Sequence, residues 1–478
     1  MKKVVLLPLL LIATCSFAQY YTNQNKVWAF GKNAGLDFNS GSPVPIATSI
    51  DQQEGCASVC DPSGNLLFYT DGKKIYRNTG AVMFSASPIV PYFTTSTSQA
   101  SLIVPFLDNS DRYYVFSLEN STSGFTGRLA YSVVDMSLGG GLGDVPAASA
   151  GIGIEDSLSE KMIAINGAQT VDYKNIWVLV HRKDTGVFLA YEISAGGINT
   201  NPVVSVSGTL SAQAGYAIGV LKASPNGRKI VSQSYGYSAI SPKGTELYNF
   251  DASTGIVSDC IVLDSVTNQY GAEFSPDNTK LYVQESIASN VMKILQYDLS
   301  LVDADLIRSS KTEIATITTA NVTDMKLAPD HRIYMYGTDD STDALFLGYS
   351  RFLDCIMNPD VAGVSCGYVP HVVQLLDGTG IRAGLPNLYL DGSTNTLSVN
   401  RHMENREQVA LYPNPANSTI TISLPEKTNH ISISNTAGKE VYSHFFHSNS
   451  VDADISNLPS GNYFIIVNNR EAEQFVKQ

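Results

Sequence analysis

Ser275-Pro276-Asp277-Asn278, followed after Thr279 by Lys280-Leu281-Tyr282-Val283, is the stretch whose reading decides the fold. Proline presets φ at the second position of a reversal, Asp and Asn tolerate the tight turn, and the apolar and aromatic residues beyond it favour a strand. The same phrase stands at Ser224-Pro225-Asn226-Gly227 before Lys229-Ile230-Val231, and at Ala328-Pro329-Asp330-His331 before Ile333-Tyr334-Met335-Tyr336. Looser copies precede them. Asp61-Pro62-Ser63-Gly64 leads into Leu66-Leu67-Phe68-Tyr69, Asp108-Asn109-Ser110-Asp111 into Tyr113-Tyr114-Val115-Phe116, and Asp172-Tyr173-Lys174-Asn175 into Ile176-Trp177-Val178. The turns start at 61, 108, 172, 224, 275 and 328, so the spacings are 47, 64, 52, 51 and 53 residues.

A spacing near fifty is the length of a four-stranded propeller blade with generous loops. The expectation is therefore an all-β chain with a β-propeller over residues 19–391. Six turn units and one blade completed by both chain ends make seven blades, with six or eight as the neighbouring counts. The competing arrangement is a pair of ordinary β-sandwiches that share common turns.

At 478 residues the chain is too long for one compact core, so two or three domains are expected. Lys2 and Lys3, the apolar run from Val4 to Ala13, and Ser16-Phe17-Ala18 read as a secretory leader (residues 1–18) cleaved between Ala18 and Gln19. That run is too short for a membrane anchor, and no later one reaches eighteen apolar residues, so no transmembrane segment is expected. Without Lys2 and Lys3, 29 basic residues stand against 44 acidic ones, a net charge of -15. Such a surface, with no Lys/Arg cluster, repels phosphate backbones and excludes nucleic acid as a partner.

Export makes disulfides possible. Cys355 and Cys366 flank a turn-rich loop containing Asn358-Pro359-Asp360 and Gly363, and are expected to close it. Cys56 and Cys60, on one extended strand, lie about 13 Å apart, too far to join each other. Cys260 is left over. Zinc held by Cys56, Cys60, Cys355 and Cys366 is disfavoured, because thiolate–zinc sites use tighter paired spacing; no metal and no cofactor is expected.

After Asp391 the composition shifts. Residues 392–408 are polar and read as an exposed linker. Residues 409–478 hold short alternating segments separated by turn residues, the rhythm of a small immunoglobulin-like sandwich.

Two resemblances follow. Trp28 to Phe38, Glu54-Gly55-Cys56-Ala57, Leu67 to Gly72, Tyr131 to Met136, Gly140 to Asp144 and Gly384-Leu385-Pro386-Asn387 resemble a group of exported WD-type propeller proteins of Bacteroidetes-type bacteria. That group implies a surface or secreted propeller and no particular activity. Leu411-Tyr412-Pro413-Asn414-Pro415-Ala416, Gly438-Lys439-Glu440-Val441, Leu458-Pro459-Ser460-Gly461-Asn462-Tyr463-Phe464 and the terminal Phe475-Val476-Lys477-Gln478 resemble the type A C-terminal sorting domain of the type IX (Por) secretion system. The resemblance implies Tyr412, Pro413, Asn414, Pro415, Gly438, Leu458, Gly461, Tyr463 and Lys477 as sorting residues. It also implies handling by the type IX machinery and a sortase, and a secreted or outer-surface location.

Catalytic signals are sparse. Gly363-Val364-Ser365-Cys366-Gly367 spells a nucleophile elbow, but Tyr368-Val369-Pro370 predicts a strand where that chemistry needs a helix. Asp339, Asp340 and Asp343 lack a calcium-loop frame. Gly139 to Asp144 has no helix on which to seat a phosphate. The seven histidines are scattered. Asp156-Ser157-Leu158 and Asp264-Ser265-Val266 resemble a bacterial O-glycosylation triplet. Two functional classes remain: a non-catalytic binding or adhesion protein taking an extracellular glycan or protein, and an exported polysaccharide lyase or hydrolase. The first is favoured, since no catalytic constellation surfaces.

Overall fold

Strands Val27–Phe30 and Ala57–Cys60 are buried at every position, the mark of strands covered on both faces. They open the first two of a succession of antiparallel sheets in a computed structural model. The described residues are 23–83, 96–121, 126–169, 173–209, 218–236, 244–265, 268–288, 291–318, 324–337, 349–389, 410–423, 429–435, 439–446, 448, 450–467 and 471–478. Ala18, Gln19, Gly438, the linker, and Asp339, Asp340 and Asp343 lie outside them. The chain is all-β, and it divides into two compact units, Met1–Thr394 and Asn395–Gln478.

Among the described residues of the first unit, seven sheets follow one another, each made of strands consecutive in sequence. Their opening strands are Val27–Phe30, Ala57–Cys60, Ser101–Pro105, Leu158–Gln169, Leu221–Ala223, Asn268–Phe274 and Met325–Leu327. The repeated turns each join the opening strand to the second strand, in the second to the seventh sheet; the turn at 172 falls partly outside the described residues. In four of them the fourth turn residue returns its N–H to the first residue's carbonyl: Gly64 to Asp61, Gly227 to Ser224, Asn278 to Ser275 and His331 to Ala328, at 2.8–3.0 Å. That fourth residue is left-handed each time, with φ of 91°, 66°, 67° and 65°. Glycine takes this conformation freely; Asn tolerates it and His does so at a cost.

Packing between sheets runs in a cycle. Phe68 of the second sheet meets Tyr113 of the third, Phe116 of the third shares a cluster with Met162 of the fourth, and Trp177 of the fourth with Tyr248 of the fifth. Leu247 joins the fifth sheet to Phe274 of the sixth, and Ile294 the sixth to Met335 of the seventh. The cycle then closes: Tyr334 of the seventh sheet stands edge-on to Trp28 of the first, centroids 6.4 Å apart, in a cluster that also takes Tyr69 of the second. Each such side chain stabilises by about 2 kcal/mol through the apolar area it removes from water. Among the described residues the first sheet draws its three strands from residues 27–51, which corrects the expectation of a blade completed by both chain ends; the late chain reaches it through a bridge of Gly380 to Lys32.

The second unit has a three-stranded sheet of Ala410–Tyr412, Thr419–Ser423 and Ser450–Asp454. Its other sheet has four strands: Glu440–Phe446, Asn429–Asn435, Gly461–Val467 and Glu471–Lys477. Ile420 and Ile422 alternate inward from the first sheet to meet Ile431, Ile433, Ile465 and Phe475 of the second.

The expected disulfide also needs correction. Cys355 and Cys366 are free thiols, as are Cys56, Cys60 and Cys260. Cys355 packs with Trp28 and Tyr334 on the side of the first sheet, whereas Cys366 packs with Tyr282 and Ile294 on the side of the sixth. Successive strand residues face opposite ways, so Cys355 turns away from the side that Ile356 and Cys366 share.

Candidate functional site

Three of the repeated turns converge on one cleft of about 410 Å³. Asp61 and Pro62 come from the second sheet's turn, Ser110 and Asp111 from the third's, and Gln169 and Lys174 flank the fourth's. Gln24, in the 3-10 turn Asn23–Asn25, and Tyr389 complete the lining. Local chemistry sets the wall: the Asp61 carboxylate accepts from Ser63 N, Asn65 N and Asn65 Nδ2 at 2.8–2.9 Å. Those donors, the Asn65 side chain first, hold its carboxyl below the usual range. The floor is apolar, with Leu67, Phe106, Tyr113 and Met136. Phe106 is fixed by stacking on Tyr114, centroids 3.9 Å apart and planes 11° from parallel. A part-buried aromatic floor with amide, carboxylate and ammonium groups at the rim can hold a group that is flat and apolar on one side and polar at its edges.

Charges gather where the opening strands touch one another. Lys222 Nζ lies 2.7 Å from Asp324 Oδ2 and 4.0 Å from Glu273 Oε2, with all three side chains at most 8% exposed. Burial, and then Lys222, pushes Lys326 down to about 8; burial pushes Lys161 down to about 7 and pushes Glu273 up. Lys222 thus pairs with Asp324 and Glu273, while Lys161 donates to Ile218 O at 3.3 Å. Composition and spacing gave no sign of them, because they come from four sheets, with Asp324 and Lys326 at the start of the seventh; the signal was a charged residue at an opening strand, as in Glu160-Lys161.

Residues 384–389 run among these strands. Pro386 makes a parallel bridge to Cys56 and Leu388 to Ile103, while Asn387 donates its N–H to Cys56 O (2.7 Å) and its side-chain amide to Met162 O (2.8 Å). Gly384 is required by space: a Cβ there would sit 2.2 Å from Glu54 O. Gly384-Leu385-Pro386-Asn387 thus carries the late chain past the second, third and fourth sheets to the cleft, where Tyr389 donates its hydroxyl to Asn166 Oδ1.

Other singled-out sequences have structural roles. Gly363–Cys366 is a 3-10 turn closed by left-handed Gly367 and followed by the strand Tyr368–Gln374, without the helix of a nucleophile elbow. The Gly139 to Asp144 loop is pinned by Arg77, which donates to Gly143 O and pairs with Asp144 at 3.1 Å. Ser157 is exposed and left-handed at φ 63°. His444 is exposed.

In the second unit several sorting residues meet at the C-terminus. Asn414 Oδ1 accepts from Val476 N at 3.0 Å, and Ala416 exchanges backbone bonds with Val476 and Gln478 at 2.8 and 2.9 Å. Gly461 pairs with Lys477; Tyr463 stacks on Phe475 and donates its hydroxyl to Pro459 O at 2.9 Å. Leu458 packs against the core from the side, and Tyr412 is 54% exposed.

Residues 410–478 match the family model of the secretion system C-terminal sorting domain. Such a tail marks a secreted or cell-surface protein handled by the type IX machinery. Among the described residues no helix is long and apolar enough to cross a membrane, which says nothing of strands. No curated protein matches the chain. Among solved structures, PorZ, a surface component of the type IX secretion system of Porphyromonas gingivalis, shares 14% identity at a TM-score of 0.32, covering 96% of this chain and 69% of PorZ. The periplasmic gluconolactonase PpgL of Pseudomonas aeruginosa shares 10% at a TM-score of 0.37, covering 81% of this chain and 98% of PpgL.

Proposed function

We propose that this chain, which ends in a type IX sorting domain, is an exported seven-bladed propeller that binds an extracellular glycan or protein at the cell surface. The leader ends at Ala18, the immunoglobulin-like tail delivers the folded ring, and a sortase cuts within the 392–408 linker. Closure of the packing cycle at Trp28 and Tyr334 supports the ring and its count of seven.

The observation that carries the binding reading is the contrast between two places. The charged groups among the opening strands are buried, Lys222 with Asp324 foremost, while the cleft over Phe106 presents Asp111 and Lys174 exposed. Recognition chemistry therefore faces solvent in this cleft.

Two experiments test it. A chain lacking residues 410–478 should accumulate in the periplasm; normal surface display of that chain would refute the export assignment. Purified protein applied to arrays of extracellular polysaccharides and host surface proteins should bind, and Phe106→Ala and Lys174→Glu should weaken that binding at least about tenfold. Shortening of a polysaccharide on the array would replace the binding reading with the hydrolase or lyase.

A further inference from the structure

We infer that Glu54 and Glu160 share a proton through Ser98 in the packed middle of the first unit, so that losing it sets two like charges together and loosens the sheets they join. Glu54 precedes the second sheet, Ser96 and Ser98 precede the third, and Glu160 lies in the opening strand of the fourth. Glu160 Oε2 accepts from Ser98 N (2.9 Å) and Ser98 Oγ (3.3 Å), and its Oε1 from Asn120 Nδ2 (2.8 Å). Glu54 accepts from Ser96 Oγ on Oε1 (3.0 Å) and from Tyr270 OH of the sixth sheet on Oε2 (2.8 Å). Ser98 Oγ accepts from Gly219 N at 3.3 Å and stands between the two carboxyls, and Asn120, which donates to Glu160, also donates to Ser96 O at 3.1 Å. The two carboxyls are 8% and 1% exposed, so neither reaches bulk water to relieve a second charge.

The partners are unequal. Glu54 is met by hydroxyls, from Ser96 and Tyr270, which can turn to donate to its ionised form. The shared proton therefore rests on Glu160. Burial, and then the charge of Glu54, pushes Glu160 up to about 7, and burial pushes Glu54 up. The other titratable groups facing them are Tyr270, pushed up, and Lys161; beyond these stand Asp324 beside Tyr270, and Glu246 and His181 beside Lys161.

Folded Glu160 keeps a proton that the unfolded chain releases above its ordinary value of 4.5. Its contribution is thus fully present below 4.5 and is lost as pH rises towards about 7. Burial pushes His181 down to about 3 and Lys161 to about 7, which gives slopes of the opposite sign. The test therefore compares proteins that share those groups.

Full-length wild type, Glu160→Gln and Glu54→Gln are melted between pH 4.5 and 8. The melting temperature of Glu160→Gln minus that of wild type should rise by roughly 2 °C or more up to neutrality and then level. A difference flat across that range overturns the proposal. In Glu54→Gln the neighbouring charge is gone, so the Glu160 step should move down by about one pH unit. An unmoved step overturns the proposal too, and decides it if Glu160→Gln does not fold.

Discussion

Asn25 donates its side-chain amide to the carbonyl of Tyr389 at 3.0 Å, joining two positions 364 residues apart. The bond is buried, and it fastens the turn before the first strand to the last described residue of the first unit.

That fastening makes residues 384–389 part of the first unit's core. A chain ending at Leu390 should melt within a few degrees of the intact first unit, and one ending at Gly380 should lose its cooperative transition. Asn25→Ala alone should cost about 1–3 kcal/mol by removing this buried hydrogen bond. Urea titrations followed by circular dichroism check all three.

His331 occupies the left-handed turn position that Gly64 and Gly227 take elsewhere. His331→Gly should stabilise by about 1 kcal/mol, and Gly227→Ala should destabilise by a similar amount. The same denaturation assay reads both. A destabilised His331→Gly would mean that its side-chain contacts outweigh the backbone.

Lys222 is the cation between Asp324 and Glu273. Lys222→Met keeps the bulk of the side chain but takes from Asp324 its hydrogen-bonded cation, leaving Lys326 near the two buried carboxyls, and should cost about 3 kcal/mol. Loss under 1 kcal/mol would show that the carboxyls take up protons at little cost.

Burial raises Cys60 and Cys260 to about 12 and pushes the other described thiols up as well. Native protein at pH 8 should therefore react slowly with a thiol reagent, and the denatured, unreduced chain should show all five of Cys56, Cys60, Cys260, Cys355 and Cys366. Only three reactive thiols would restore the Cys355–Cys366 bridge.

In the tail, Asn414→Ala removes the acceptor for Val476 N. The second unit should lose about 1 kcal/mol, and surface display should fall relative to periplasmic protein. Whole-cell labelling against fractionated protein measures the ratio.

The sequence determined whatever depends on a few adjacent residues. Ser-Pro-Asp-Asn and its variants fix φ within four positions, so the turns, the strands they launch and the repeat near fifty could be read from one chain. The sorting motif was equally legible, because its residues recur in a set order over 410–478. Tertiary structure alone decided what hangs on distant partners. It chose which face of a strand Cys355 occupies, placed Glu54 beside Glu160, and drew Tyr389 to Asn25 and the cleft. Those outcomes follow from how the described sheets pack on one another, and a strand's local pattern says that a residue is buried without saying what it is buried against.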